Sequence, residues 1–107
     1  MATKLGDKIN LLRKERGLTL DQLAEKTDSS KGYIWELENR ETKKPSAEKL
    51  QKIADALSTT TEFLLDEKKK KPDETVIEQA FFRKFRQMDE EDQKKLMQIA
   101  DAWSDKK

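Results

Sequence analysis

Apolar residues recur along this chain at spacings of three and four, and the strict alternation of a half-buried strand is missing, so the pattern predicts helix almost throughout. A first helix is expected from about Thr3, a candidate N-cap, to Arg16. Leu5, Ile9 and Leu12 face inward along it, and Gly17 stands where a helix C-terminus favours a left-handed residue. Thr19 is placed to cap a second helix, Leu20 to Lys26, which turns Leu23 and Ala24 to the core and carries Gln22 near the N3 position of a capping box. After a short turn, Thr27 to Ser29, Ser30 caps a third helix from Lys31 to Asn39. Two short helices joined so tightly have the spacing of a helix-turn-helix.

Pro45 blocks backward extension of a fourth helix, Ser46 caps it, and Leu50, Ile53, Ala54 and Leu57 form its core stripe, ending near Ser58. Thr60 caps a short fifth helix whose Phe63 and Leu64 plug the bundle, closing a first domain over residues 1–65. The segment "DEKKKKPD", residues 66–73, joins like charges to a proline and reads as a solvated linker. Over residues 74–87 the pattern returns, with Ile77, Phe81 and Phe85 on one face and Ala80 beside them. Asp89 then caps a last helix carrying Leu96, Ile99, Ala100 and Trp103. Residues 74–107 therefore read as a helical hairpin, and the fold class is all-α.

The third helix holds an anomaly. In "SSKGYIWELENR" the inward residues are Ile34 and Leu37, and a rotation of roughly 100° per residue carries Gly32, Trp35, Glu36 and Asn39 to the opposite face, with Lys31 at its leading edge. A tryptophan is thus expected to point outward.

Composition narrows the chemistry. Charged residues make up 42% of the 107, but Lys plus Arg (23) nearly cancel Asp plus Glu (22), so any nucleic-acid footprint must be local. The absence of cysteine and histidine excludes disulfides, thiolate metal sites, zinc chemistry and the Ser-His-Asp and Cys-His arrangements. No apolar run approaches the roughly 20 residues of a bilayer span, and a soluble cytoplasmic protein is expected. The acids Asp89 to Asp92 open a helix, where the N-terminal dipole favours them, and read as capping rather than as a metal or catalytic cluster. Lys68 to Lys71 read as linker. No enzyme, metal or cofactor is expected.

The stretch "LTLDQLAEKTDSSKGYIWELENRETKKPSAEKLQKIADAL", Leu18 to Leu57, resembles the Cro and phage-repressor type of helix-turn-helix protein, the XRE-like family. The resemblance rests on the joint spacing of "LxxDQLAEK", "YIWELEN", "KKPS" and "LxxIADAL", and extends more loosely over residues 3–65. It implies a five-helix, lambda-repressor-like DNA-binding domain whose third helix lies in the major groove. The base-contacting candidates are then Lys31, able to donate to guanine, Glu36, able to accept from cytosine, Tyr33 and Trp35, with apolar edges for a thymine methyl, and Gly32, which lets backbone approach. The phosphate-contacting candidates are Thr19, Leu20 through its amide, Ser30, Asn39, Thr42, Lys43 and Lys44. Leu20 departs from the family, which often has glutamine there, and Trp35 replaces a usual small residue. The resemblance also implies a structural pair between Glu38 and Arg13 of the first helix.

The hairpin exposes more apolar surface than it can cover, which makes Ile77, Phe81, Phe85, Leu96, Ile99 and Trp103 candidates for dimerisation. The functional expectation is a sequence-specific transcriptional regulator, a repressor that binds a palindromic double-stranded DNA operator as a homodimer. The alternative is an antitoxin-type protein whose hairpin binds a toxin while the first domain represses its own operon. Packing of the hairpin on the chain's own first domain, and contact of Trp35 with a neighbouring loop or a partner subunit, stand beside these.

Overall fold

The structure, a computed structural model, describes residues 4–40, 44–69 and 71–104, so the candidate cap Thr3 and the loop residues Thr42 and Lys43 lie outside it. Among the described residues the chain is helical: α1 (Lys4–Glu15), α2 (Leu20–Lys26), α3 (Lys31–Asn39), α4 (Ala47–Ala56), α5 (Thr61–Leu65), α6 (Glu74–Gln87) and α7 (Glu90–Ser104). None of these helices is long and apolar enough to cross a membrane.

Local chemistry accounts for most of the boundaries. The Thr19 hydroxyl accepts from the Gln22 amide at 3.1 Å while the Gln22 side chain accepts from the Thr19 amide at 2.8 Å, a complete capping box. Ser30, Ser46, Thr60, Asp73 and Asp89 each accept from the amide three residues on, satisfying donors that a helix start leaves open. At the other end, α1 stops at Glu15, one residue before Arg16, because Gly17 turns left-handed (φ 68°) and the Leu18 amide returns to the Arg13 carbonyl at 3.0 Å. The same closure follows α2 through Asp28 and α4 through Ser58, both at φ 54°, with the Ser29 amide donating to the Ala24 carbonyl at 2.8 Å and the Thr59 amide to the Ala54 carbonyl at 2.9 Å. α4 thereby ends at Ala56, slightly short of Ser58.

Ile9, Leu12, Leu23, Ala24, Ile34, Leu37, Leu50, Ile53, Ala54, Leu57, Phe63 and Leu64 form one buried cluster. Leu5 packs at its edge. The core does not stop at Leu65: Val76 of α6 belongs to it, and Ala80 is buried one turn further on. Arg83 continues this docked stripe, with Nε 2.7 Å from Asp55 Oδ1 and Nη2 donating to the Thr59 carbonyl at 2.6 Å, while Lys84 Nζ donates to Ser58 Oγ at 2.7 Å. Two cations of α6 thus meet the carbonyl-rich end of α4, where the helix dipole favours positive charge. Packing on the chain's own first domain is therefore how α6 is held. Only the other face of α6 remains outward, and α7 buries no residue. Gln93 Nε2 ties α7 to the end of α6 by donating to the Phe85 carbonyl at 2.8 Å. The protrusion gives principal extents of 49 × 28 × 23 Å.

Two close approaches set the position of α3 and α5 against α1. A Cβ on Gly6 would stand 2.5 Å from the Leu37 carbonyl oxygen and 2.7 Å from that of Glu38, so only glycine lets α1 cross the end of α3 at this distance. Lys8, buried, donates from Nζ to the Phe63 carbonyl at 2.5 Å and to the Asp66 carbonyl, and lies 4.3 Å from the Phe63 ring centroid, fastening the exit of α5. Gly32 behaves oppositely, since a Cβ there would meet nothing within 4 Å. Gly6→Ala is therefore expected to lose about 1–3 kcal/mol by overpacking, whereas Gly32→Ala should gain about 0.5–1 kcal/mol from helix propensity. Urea midpoints of the two variants check the opposite signs.

Candidate nucleic-acid interface

The orientation of α3 is decided on its inner side. Ile34 and Leu37 are buried in the core, and between α1 and α3 the Arg13 guanidinium grips Glu38 with Nε 2.7 Å from Oε2 and Nη2 3.1 Å from Oε1. Asn10 Nδ2 donates to Glu38 Oε1 at 2.7 Å, and Arg13 Nη1 donates to the Leu18 carbonyl at 2.9 Å. The Glu38 side chain is 2% exposed, so this fork-shaped pairing is what makes its charge tolerable.

The opposite face carries the candidate reading residues. Lys31, Gly32, Trp35 and Asn39 are exposed, with Tyr33 and Glu36 half-buried at the margins. Nothing in the protein demands glycine at position 32, so its open backbone is a feature of the outer surface alone. Tyr33 leans on the core cluster, its ring lies 5.8 Å from Lys49 Nζ, and burial raises its hydroxyl pKa above the usual value. Trp35 is 45% exposed, and the Arg40 guanidinium lies over its ring, 5.6 Å from the centroid. Asn39 turns its amide nitrogen back to the Trp35 carbonyl at 2.9 Å.

Around this face lie the residues assigned to phosphate. Thr19 and Ser30 stand at helix starts with their hydroxyls engaged as caps, so each presents an ordered N-terminal turn. Leu20 is half-buried against the core cluster, which occupies its side chain and leaves the amide end of α2 for a ligand. Lys44 is exposed where the chain enters α4.

Sequence reasoning overlooked Lys49. Its ammonium donates to the Thr27 carbonyl at 2.8 Å and to the Asp28 carbonyl at 3.0 Å, and Lys52 Nζ lies 3.1 Å from Asp28 Oδ2, so α4 braces the turn between α2 and α3. No spacing rule along the chain points to a partner that far away.

On the hairpin, Ile77, Phe81, Ile99 and Trp103 are exposed, while Phe85 and Leu96 are half-buried. Phe81 stacks on Phe85 with centroids 6.1 Å apart and meets Phe82 edge-on at 5.8 Å. Phe82 and Met97, exposed as well, enlarge the apolar surface beyond the residues picked out by the stripe.

In chemical terms the α3 face offers an ammonium donor, a carboxylate acceptor, aromatic edges and an unobstructed backbone on a helix of major-groove width. Among the described residues no group of acids is arranged to hold a metal ion.

Comparison with known proteins points the same way. The sequence model of the helix-turn-helix family matches residues 9–64. The HTH-type transcriptional regulator SinR of Bacillus subtilis is 38% identical over 64 residues, which are 60% of this chain and 58% of SinR, so the match spans little more than half of that relative. A crystal structure of SinR, the master regulator for biofilm formation, in complex with DNA aligns with a TM-score of 0.55 at 35% identity, over 58% of this chain and 98% of that one. A SinR/SinI protein complex aligns with a TM-score of 0.58 at 25% identity, over 96% of this chain and 99% of the other.

The Arg13 and Glu38 pair is assigned to folding rather than recognition. Glu38→Ala strands the arginine in a buried site and is expected to cost about 3–5 kcal/mol. Chemical unfolding measures this directly, and a variant that melted normally yet lost DNA binding would contradict the assignment.

Proposed function

The chain belongs to the helix-turn-helix family, of the XRE-like, Cro and phage-repressor type, and from that premise we propose that it is a sequence-specific DNA-binding transcriptional regulator. In this reading α3 enters the major groove, with Lys31, Gly32, Tyr33 and Glu36 toward base edges and Trp35 on the same DNA-facing side, while the N-terminal turns of α2 and α3, Asn39 and the α3–α4 loop lie against phosphates. One observation carries it: the inner side of α3 is locked by Ile34, Leu37 and the buried Glu38, while Lys31, Gly32, Trp35 and Asn39 stand exposed on its outer side. The likeness to a DNA-bound SinR chain supports the same placement. Regulators of this family are not enzymes, and the reading requires no cofactor.

The regulator acts in the cytoplasm as a repressor, by covering a promoter at a palindromic operator. Two copies present their third helices about one helical turn, roughly 34 Å, apart, which matches protein symmetry to DNA symmetry. The exposed band of Ile77, Phe81, Ile99 and Trp103 supports pairing through the hairpins, because so much clustered apolar surface is costly in water. A second reading keeps the DNA-binding domain and gives the hairpin a different protein as partner, as an antitoxin-type regulator would. The alignment with a SinR/SinI complex extends over the hairpin as well as the first domain, which favours keeping that reading in view.

A binding titration over a salt series tests the first claim. The preferred duplex should bind about 10³-fold or more tightly than random duplex, and the logarithm of affinity should fall by about 0.9 per decade of salt for each phosphate neutralised. Salt-insensitive binding would sink the reading. Light scattering tests the second: the protein alone should be a dimer, and Phe81→Asp should make it a monomer with its helicity intact. A monomeric wild-type protein would favour the heterologous partner.

A further inference from the structure

Trp35 and Arg40 form a unit that neither the core stripes nor the groove chemistry of α3 anticipates. Their separation of five residues is not a helical neighbour spacing, and the contact forms because Arg40 lies just beyond the end of α3, with its amide still donating to the Glu36 carbonyl at 2.8 Å. The backbone of Arg40 is thus anchored to the helix while its long side chain folds back over the indole, 5.6 Å from the ring centroid. Both residues are exposed, so the contact contributes nothing to the core.

We propose that Arg40 contacts a DNA phosphate and that Trp35 is its platform, so that Trp35 acts on DNA through Arg40 and reads no base. This assignment rests on the DNA-binding reading given above. Three features carry it. A guanidinium held over the indole still has N–H donors to turn outward, and its fork matches phosphate oxygens in the two-pronged manner that a lysine cannot reproduce. The contact also restrains the side chain before DNA arrives, so less rotamer freedom is left to lose on binding. Position supplies the third: when the first residues of α3 face base edges, Arg40 lies about 13 Å further along at ~1.5 Å per residue, toward the groove wall. In a chain whose net charge is only +1, such local cations must supply the phosphate attraction.

The test is a double-mutant cycle on the full chain, with wild type, Arg40→Ala, Trp35→Ala and the double variant. Each is titrated over a salt series with a duplex selected by the wild-type protein from a random pool and with a random duplex. Circular dichroism melting confirms folding of each. Arg40→Ala should weaken both duplexes by a similar factor, about tenfold, and lower the salt slope by about one. Trp35→Ala should weaken both about threefold without changing base preference, and the double variant should be no weaker than Arg40→Ala. Arg40→Lys should keep the slope but become insensitive to loss of Trp35. Additive losses, an unchanged slope in Arg40→Ala, or altered base preference in Trp35→Ala would each overturn the assignment while leaving the DNA reading intact. A wild-type protein that bound neither duplex would overturn the DNA reading itself, and this assignment with it.

Discussion

The buried grip of Arg13 on Glu38 is the constraint from which the proposed interface follows. α3 has nine residues, well below the about 12–15 that an isolated helix needs in water, so its existence and its rotation are imposed by its surroundings. Ile34 and Leu37 supply the attraction, but apolar contacts alone tolerate sliding and rolling. The two-pronged contact to Glu38, reinforced by Asn10, permits one rotation and one height. Gly6 is the matching concession on α1, since a methyl group there would push α3 away and break the pair. What faces outward from α3 is thereby determined by what is held within.

Rigidity of the turn before α3 comes from a second set of contacts. The chain leaves α2 through a left-handed Asp28, a conformation that carries a cost for a residue with a side chain, and Lys49 and Lys52 of α4 hold it there through carbonyl and carboxylate contacts. The same helix α4 receives Arg83 and Lys84 at its other end, so it is bonded to the helix-turn-helix at its start and to the hairpin at its finish. Burial above all, and then the neighbouring cations Arg16, Lys26 and Arg83, lower the pKa of Lys84. α4 therefore ties the docked face of α6 to the turn that precedes α3.

The features legible along the chain were those decided within one or two turns. Caps such as Thr19, Ser30 and Ser46, the left-handed Gly17 and the inward stripes of α1 and α4 depend on neighbours three or four residues away, which spacing reveals. Asp28 and Ser58 escaped because glycine is the usual sign of that backbone shape, and here tertiary contacts impose it. Lys8, Lys49 and Arg83 bond to carbonyls 21 to 58 residues distant, where no periodicity connects donor to acceptor. On α6 the larger apolar residues Ile77 and Phe81 drew attention, while the helix docks through Val76 and Ala80, whose small size lets it approach closely. The outward direction of Trp35 was legible from the turn angle, and its cationic neighbour was not.

In the proposed reading the outer face of α3, held by the Arg13–Glu38 pair beneath it, is the surface that meets DNA. Amide chemical-shift mapping of the isotopically labelled full chain, titrated with its preferred duplex, tests this most directly. Shifts concentrated at Thr19 and Leu20, along Ser30 to Arg40 and at Lys44, with little change in α6 and α7, are the predicted result. Shifts centred on the hairpin, or spread evenly with none at Lys31 to Glu36, would contradict it.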